Sequence, residues 1–547
     1  MRGRAAGHST FNIEHSTFLV YPDSYPVKPL LLSLVALLGT AASAEPLRIG
    51  TITIHALDVY SSDEAGKGWM YRVADRLHID TRRAVIEQFL LFHAGEEYRP
   101  ELLAQTERNL RARGFLKSAS VVALPPHDGV VDVVVTTQDA WSIAPETQAG
   151  NKGGTSTYGA TLSDSNLLGM GKDIELEWNK GVERSRLGAI YSDPAFFAPY
   201  WNAKLGYGTT SDGYDHNVTV SRPFYSFTTR WAADFSFNGF KQDDHLYAGG
   251  LEAERFRQHH REILGDYGIA LSASDAAATR LIGGVRLIDN SFATVTSQPL
   301  TTLPAPREFR YLFLCLDRVE NDYVKLNFVN KDLRYEDFNL GRHTAIEAAL
   351  SPRAFGADST SGYVRLTASD GRRVGGSGFV LPSVSVSSRF DGGPQHTVAS
   401  SSILLVRRSE ADHPRALVGR IALASGWRVD RDVQFFADGL TGLRGYRAHT
   451  FAGDRAIVMN LEERLYLGRE IFQLASPGLV AFIDAGNATS GGFGDLMKLK
   501  TDLGVGLRIG LPRTPKNLLR VDLSYALNDD PLGRRGWMMS FSSGQAF

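Results

Sequence analysis

Gly442-Leu443-Arg444-Gly445-Tyr446 stands between two segments that read as strands, Arg415 to Trp427 upstream and Asp454 to Leu467 downstream. Glycines on either side of one arginine let the backbone fold back tightly while a single planar cation is pushed outward. Alone, such a segment is a solvated turn. Its company raises it: Asn460-Leu461-Glu462 follows, then Phe482-Ile483-Asp484-Ala485-Gly486, and the sequence ends on Phe547. Asp454 to Leu467 places Ile457, Met459, Leu461 and Leu465 on one face and Asn460, Glu462 and Arg464 on the other. Glu463 falls on the apolar face, which puts this end at an interface or implies a bulge. Leu479 to Asp484, Asp502 to Ile509, Leu518 to Tyr525 and Gly536 to Phe547 complete a set of five terminal strands.

The same two-residue period runs upstream. Asp173-Ile174-Glu175-Leu176-Glu177-Trp178-Asn179 alternates without a break, and Trp231, Ala233, Phe235 and Phe237 alternate with Ala232, Asp234, Ser236 and Asn238. Tight turns are expected at Asn166 to Gly171, Ser192-Asp193-Pro194 and Arg222 to Ser226, and a longer connection at Leu287 to Glu308. A soluble sandwich alternates in this way, and so does a membrane barrel with lipid on one side and a wet lumen on the other. The N-terminus tips the choice. Lys28, the apolar run Leu30 to Leu38 and Ala42-Ser43-Ala44 form a signal peptide, cut after Ala44, behind an early-called start. No later apolar stretch is long enough to span as a helix, so an exported, membrane-embedded sheet must close on itself to pair its backbone.

Composition agrees. Lysine and arginine number 59 against 60 acidic residues, a net charge of −1, which argues against a nucleic-acid partner. Fifty-four glycines and 29 phenylalanines suit an all-β chain rich in turns and aromatic anchors. The single cysteine, Cys315, cannot form an intramolecular disulfide and is expected as a buried, small apolar side chain.

Residues 45–144 read differently. Arg48 to Tyr60 is a strand, Thr81 to Phe92 a helix, and a second helix opens at Pro100 and stops at Gly114. Ser118 to Leu124 and Val130 to Thr137 are strands joined through Pro125-Pro126-His127-Asp128-Gly129.

That order, with Glu107-Arg108-Asn109-Leu110-Arg111 before Gly114-Phe115-Leu116 and later Asp139-Ala140-Trp141, resembles a polypeptide-transport-associated (POTRA) domain. The ordered set around Arg444 resembles the C-terminal barrel of the outer-membrane β-barrel assembly superfamily, the BamA/TamA-like proteins and two-partner secretion transporters. The resemblance implies one periplasmic POTRA domain at 45–144 and an antiparallel transmembrane β-barrel of about 16 strands at 145–547. It also implies that the loop bearing Arg444, Gly445 and Tyr446 folds into the lumen, with Arg444 paired to Asp484 and Glu462 nearby. Phe541, Gly544 and Phe547 are expected in the closing strand, where the terminal aromatic resembles the signal read by the insertion machinery. The expected partners are unfolded outer-membrane or secreted polypeptides, outer-membrane lipid, and periplasmic chaperones or accessory lipoproteins.

Little points to catalysis. His259-His260 lie side by side in a strand, so their rings face opposite ways and do not share a metal. Gly371-Arg372-Arg373-Val374-Gly375-Gly376 reads as an exposed basic turn. No cofactor, metal or enzymatic activity is expected. The expected function is insertion of other barrels or passage of a polypeptide, with a passive porin or structural barrel as the alternative.

Overall fold

The computed structural model describes residues 46–59, 79–152, 154–295, 302–409, 414–471, 474–511 and 518–547. The expected leader at residues 1–44 lies outside them.

The N-terminal unit contains β1 (Arg48–Leu57), α1 (Arg83–Glu87), α2 (Pro100–Arg111), β2 (Leu116–Ala123) and β3 (Val130–Asp139). Its sheet has the order β1-β3-β2, with β1 parallel and β2 antiparallel to the central β3. Both outer strands are therefore edges. Helix α1 is shorter than the apolar spacing suggests. Past Glu87 the amides of Phe89 and Leu90 bond three residues back, to Ile86 and Glu87, and Leu91 donates to the Thr106 hydroxyl instead. Phe89, Phe92, Leu103, Leu110, Phe115, Val133 and Val135 form the core of this unit.

The barrel opens with β4 (Ile143–Lys152), β5 (Thr155–Asp164), β6 (Asp173–Lys180), β7 (Ser185–Asp193), β8 (Asn202–Thr210) and β9 (Gly213–Arg222). Four long strands follow: β10 (Trp231–Ala248), β11 (Leu251–Ala273), β12 (Ala277–Thr294) and β13 (Arg307–Glu320). A hairpin of β14 (Tyr323–Leu326) and β15 (Glu336–Asn339) interrupts the meander. It resumes with β16 (His343–Ser351), β17 (Ser361–Ser369), β18 (Arg372–Arg373), β19 (Gly378–Phe390), β20 (Pro394–Ser409) and β21 (Arg415–Trp427). A second small hairpin, β22 (Phe435–Ala437) and β23 (Phe451–Gly453), lies within the loop that carries Arg444. Last come β24 (Arg455–Tyr466), β25 (Ser476–Thr489), β26 (Lys500–Gly510), β27 (Leu518–Ala526) and β28 (Trp537–Ser543).

The barrel sheet contains 21 strands, and it closes where β28 meets β4. The expected count of about 16 is too low. Because β17 pairs directly with β19 and β18 has only two residues, the wall has about twenty full staves. The surplus lies upstream of Arg415, where β13, β16 and β17 each present outward apolar residues such as Leu314, Leu350 and Val364. Strands β10 to β12 have 18, 23 and 18 residues, where roughly ten suffice to cross, so they also extend past the apolar zone. The expected long connection is correspondingly shorter, because β12 runs to Thr294 and β13 starts at Arg307.

Alternation sets the two faces. Along β24 the buried residues are Ala456, Val458, Asn460, Glu462, Arg464 and Tyr466, while Leu461, Glu463 and Leu465 are exposed. The β24–β25 register is unbroken, so Glu463 marks the end of the apolar zone and no bulge exists there. Around the outside, Leu187, Leu314, Leu479 and Val505 are each 60–61% exposed, a contiguous apolar belt that belongs in lipid. No helix among the described residues is long and apolar enough to cross a membrane. Cys315 is half-buried rather than fully enclosed, because β13 turns it toward the lumen.

The N-terminal unit sits under one mouth of the barrel. The Tyr200 hydroxyl, in the β7–β8 turn, donates to the Leu90 carbonyl at 2.7 Å, and the Asn166 amide donates to Thr81 at 2.8 Å. The expected turns at Asn166 to Gly171, after Ser192 and after Arg222 all face this unit. The Arg444 loop enters from the opposite mouth.

Candidate functional site: a lumenal arginine cluster

The loop between β21 and β24 is built before it reaches the lumen. The Asp438 carboxylate accepts from the amides of Leu440, Thr441 and His449 at 2.8, 3.0 and 2.6 Å. Gly442 then takes φ +127°, a conformation closed to side-chain-bearing residues. Its carbonyl accepts from the Asn460 amide at 2.7 Å. This reversal drives Arg444 inward, where it is 3% exposed.

The guanidinium is held on several sides. Nε and Nη2 donate to the two oxygens of Asp484 at 2.7 and 2.8 Å, a bidentate fork. Nη1 donates to Glu462 and lies 3.4 Å from Asp522. The Phe482 ring lies beneath the plane, its centroid 3.4 Å from Arg444 Cζ. Gly445 follows because nothing larger fits: a Cβ there would sit 2.5 Å from Asp502 Cβ. Tyr446 is buried beside Phe451, its hydroxyl shared between the carbonyls of Thr501 and Asn528 at 3.1 and 3.2 Å.

Sequence reading brought Arg444, Asp484 and Glu462 together, and the structure has them in contact. It missed the rest of the cluster. Glu462 also pairs with Arg464 at 2.6 Å and Arg508 at 3.5 Å, and Asp522 pairs with Arg508 at 2.6 Å and Arg520 at 3.6 Å. Asp502 is fully buried against the loop. The signal was present as alternation, since Asp502 and Arg508 share a face of β26, as do Arg520 and Asp522 of β27. A single strand's period gives the face but not the neighbour.

The closing strand differs from expectation. Phe541 lies in it, opposite Val521 of β27 and Asn151 of β4. Gly544 and Phe547 do not. β28 stops at Ser543, and Gly544 turns the chain with φ +82° while its amide donates to Leu518. Phe547 packs instead against a lumenal apolar cluster that includes Val329 and Phe379. Among the described residues the seam is thin, registered by Phe541 opposite Asn151 between β28 and β4; β27 and β28 share seven such pairs.

His259 is exposed on the outer face while His260 bonds Asn290 at 2.8 Å within, as alternation requires. In the basic turn, Arg372 pairs with Asp370 and Arg373 with Asp322, each at 2.6 Å.

No family model and no curated protein matches the chain. Several solved structures are similar at low identity. BamA from Haemophilus ducreyi, lacking POTRA domains 1–3, is 12% identical over 90% of this chain and 84% of its own, with a TM-score of 0.37. CdiB from Acinetobacter baumannii is 12% identical over 91% and 74%, with a TM-score of 0.46. The alcaligin outer-membrane receptor FauA from Bordetella pertussis is 10% identical over 76% and 78%, with a TM-score of 0.33.

Proposed function

We propose that this chain is an outer-membrane protein of the BamA/TamA-like kind, with one POTRA domain in the periplasm, that inserts client barrel proteins into the membrane. The single observation that carries the reading is the Arg444 loop, folded back through the lumen and clamped by the terminal strands. A loop anchored across the lumen by a bidentate ion pair obstructs free passage, which favours this reading over an open pore. Between insertion and passage through the lumen, the thin β28–β4 seam favours insertion. Two strands that share one register pair among the described residues part more easily than neighbours that share seven, and the freed edges then template a client strand as any unpaired edge does. The sheet edges of the N-terminal unit would receive unfolded polypeptide first, with chaperones or accessory lipoproteins delivering it. No step in this cycle calls for a cofactor or bond chemistry.

The test locks the seam. With Cys315→Ser as background, Asn151→Cys and Phe541→Cys face one another across it. Oxidation should stop insertion of a client barrel into liposomes and reduction should restore it, with the locked protein still migrating as a folded barrel. Full activity of the oxidised form would exclude insertion at the seam. Unchanged levels of every other outer-membrane protein after depletion would favour the porin.

A further inference from the structure

The connection from β13 to β16, residues 321–342, spans the space between the N-terminal unit and the lumenal cluster. At one end its hairpin lies against α2 and the edge of β2. The Lys325 ammonium donates to Glu107 at 2.9 Å, Arg111 forks onto Asp337 at 2.6 and 3.1 Å, and the Arg108 guanidinium lies 4.4 Å over the Tyr323 ring. Glu107 has a second task. Its other oxygen accepts the backbone N–H of Val121 at 3.1 Å, an amide on the free edge of β2. The carboxylate thus stands where the carbonyl of an added strand would stand. Burial alone would raise the Glu107 carboxyl, but Lys325, the Val121 amide and Arg111 hold it below its ordinary value. A cavity of about 370 Å³ remains between the two, lined by Leu103, Ala104, Val121, Ala123, Tyr323 and Asp337 among others.

At its other end the same connection enters the barrel. Leu326, Val329 and Leu340 pack with Phe379, Leu381 and Val418 of the wall. The Val329 carbonyl accepts from Arg464 at 2.5 Å and from Gln545 at 3.4 Å. Arg464 in turn holds Glu462, which holds Arg444. One continuous set of contacts therefore runs from the edge of β2 to the loop from the opposite mouth.

We propose that residues 321–342 are a displaceable plug that occupies the receiving edge of β2 and the adjoining mouth of the barrel, so that an extended client strand and the hairpin compete for one place. The proposal rests on the reading of β2 as a receiving edge. Entry of a strand whose carbonyl takes the Val121 N–H releases Glu107, and with it Lys325 and the hairpin. Loss of the hairpin then withdraws Val329 from Arg464.

Lys325→Ala with Asp337→Ala removes both ion pairs without touching the N-terminal unit. In the detergent-purified full-length protein, backbone hydrogen exchange over 321–342 should rise at least tenfold and single-channel conductance in planar bilayers should increase. Lys325→Arg with Asp337→Glu, which keeps both charges, should leave both at their native values. A synthetic peptide of residues 518–547, two barrel strands of this chain, serves as the client probe and should bind the released variant at least fivefold more tightly than the native protein. Unchanged exchange and conductance would overturn the plug. Equal peptide affinity with raised conductance would overturn the competition while leaving the plug. Failure of the peptide to bind either form would overturn the receiving edge, and with it the competition, whatever the conductance shows.

Discussion

At Arg444 the partners are unequal. Glu462 keeps Arg464 and Arg508 when Arg444 is removed, whereas Asp484 keeps the Asn460 amide at 2.8 Å and the backbone N–H of residue 444 at 3.4 Å but, among the described residues, no cation. Arg444→Ala therefore strands one carboxylate, and leaving a buried charge unpaired costs about 3–5 kcal/mol. Asp484→Asn should recover most of that loss in the double variant, and Glu462→Gln should recover little. Urea unfolding of the four proteins in micelles checks this, and equal rescue by both would show that the charge is shared rather than paired. The barrel wall itself should survive, retaining its folded mobility on gels, while client insertion falls. Gly445→Ala acts by volume, since its Cβ would lie 2.5 Å from Asp502 Cβ and 3.1 Å from the Ala526 amide nitrogen. Overpacking of this kind costs roughly 1–3 kcal/mol, and the loop should become open to protease before the barrel unfolds. The pair Arg444–Asp484 was legible because the resemblance of both motifs to those of the assembly superfamily implied it. Asp438, which shapes the loop, was not, since a carboxylate that caps its own neighbours' amides leaves no periodic trace.

Among the elements, strands announced themselves better than their number. The five terminal strands fall within a few residues of the sequence reading because each alternates an apolar outer face with a polar lumenal one, charged in β24 to β27 and built of serines in β28. Upstream, β10 to β13 carry polar residues at their outer ends, and sequence alone does not say whether such a segment is a stave or a projection. The 321–342 connection was missed as an element altogether. Its hairpin has only four residues on each side, and its apolar residues match the barrel wall rather than a period of their own. It also carries a titratable group. Burial, with Glu470 adding to it, pushes the Asp332 carboxyl up to about 7, against about 3.9 in an unfolded chain. Between these values the loosened loop gains a charge that the packed loop resists, so its packing weakens as pH rises from about 4 to 7 and is firmest below that window. Hydrogen exchange over 327–340 should therefore be slower in Asp332→Asn than in the native protein at pH 7.5, by about tenfold for each unit of pH past 4 that the shift spans. The two should converge near pH 4. Parallel curves across that range would place the carboxylate in water.

For the whole molecule, everything turns on what the outer face of the sheet touches. Along β13 the outward residues run Glu308, Arg310, Leu312, Leu314, Leu316, Arg318. From Arg310 to Arg318 is eight steps, roughly 27 Å along a strand, and at a tilt of about 40° that is on the order of 20 Å of height, close to the apolar band of a bacterial barrel. The neighbours agree at the far boundary, where Asp289 of β12 meets Arg261 at 2.5 Å and Arg310 at 2.6 Å. If lipid fills the belt, position determines the cost of a charge. Leu314→Arg at mid-height should cost about 2–4 kcal/mol, while the same change at Leu312 or Leu316, nearer a boundary, should cost less. Arg318→Leu should be close to neutral. Reversible urea unfolding in phospholipid vesicles measures all four, and a maximum at Leu314 fixes the membrane centre on this strand. In a water-soluble barrel the order inverts, because an arginine replacing a leucine that is 60% exposed removes apolar surface from water and improves solubility. A flat or inverted profile would therefore take the sheet out of the membrane, and seam, loop and plug would lose their common purpose with it.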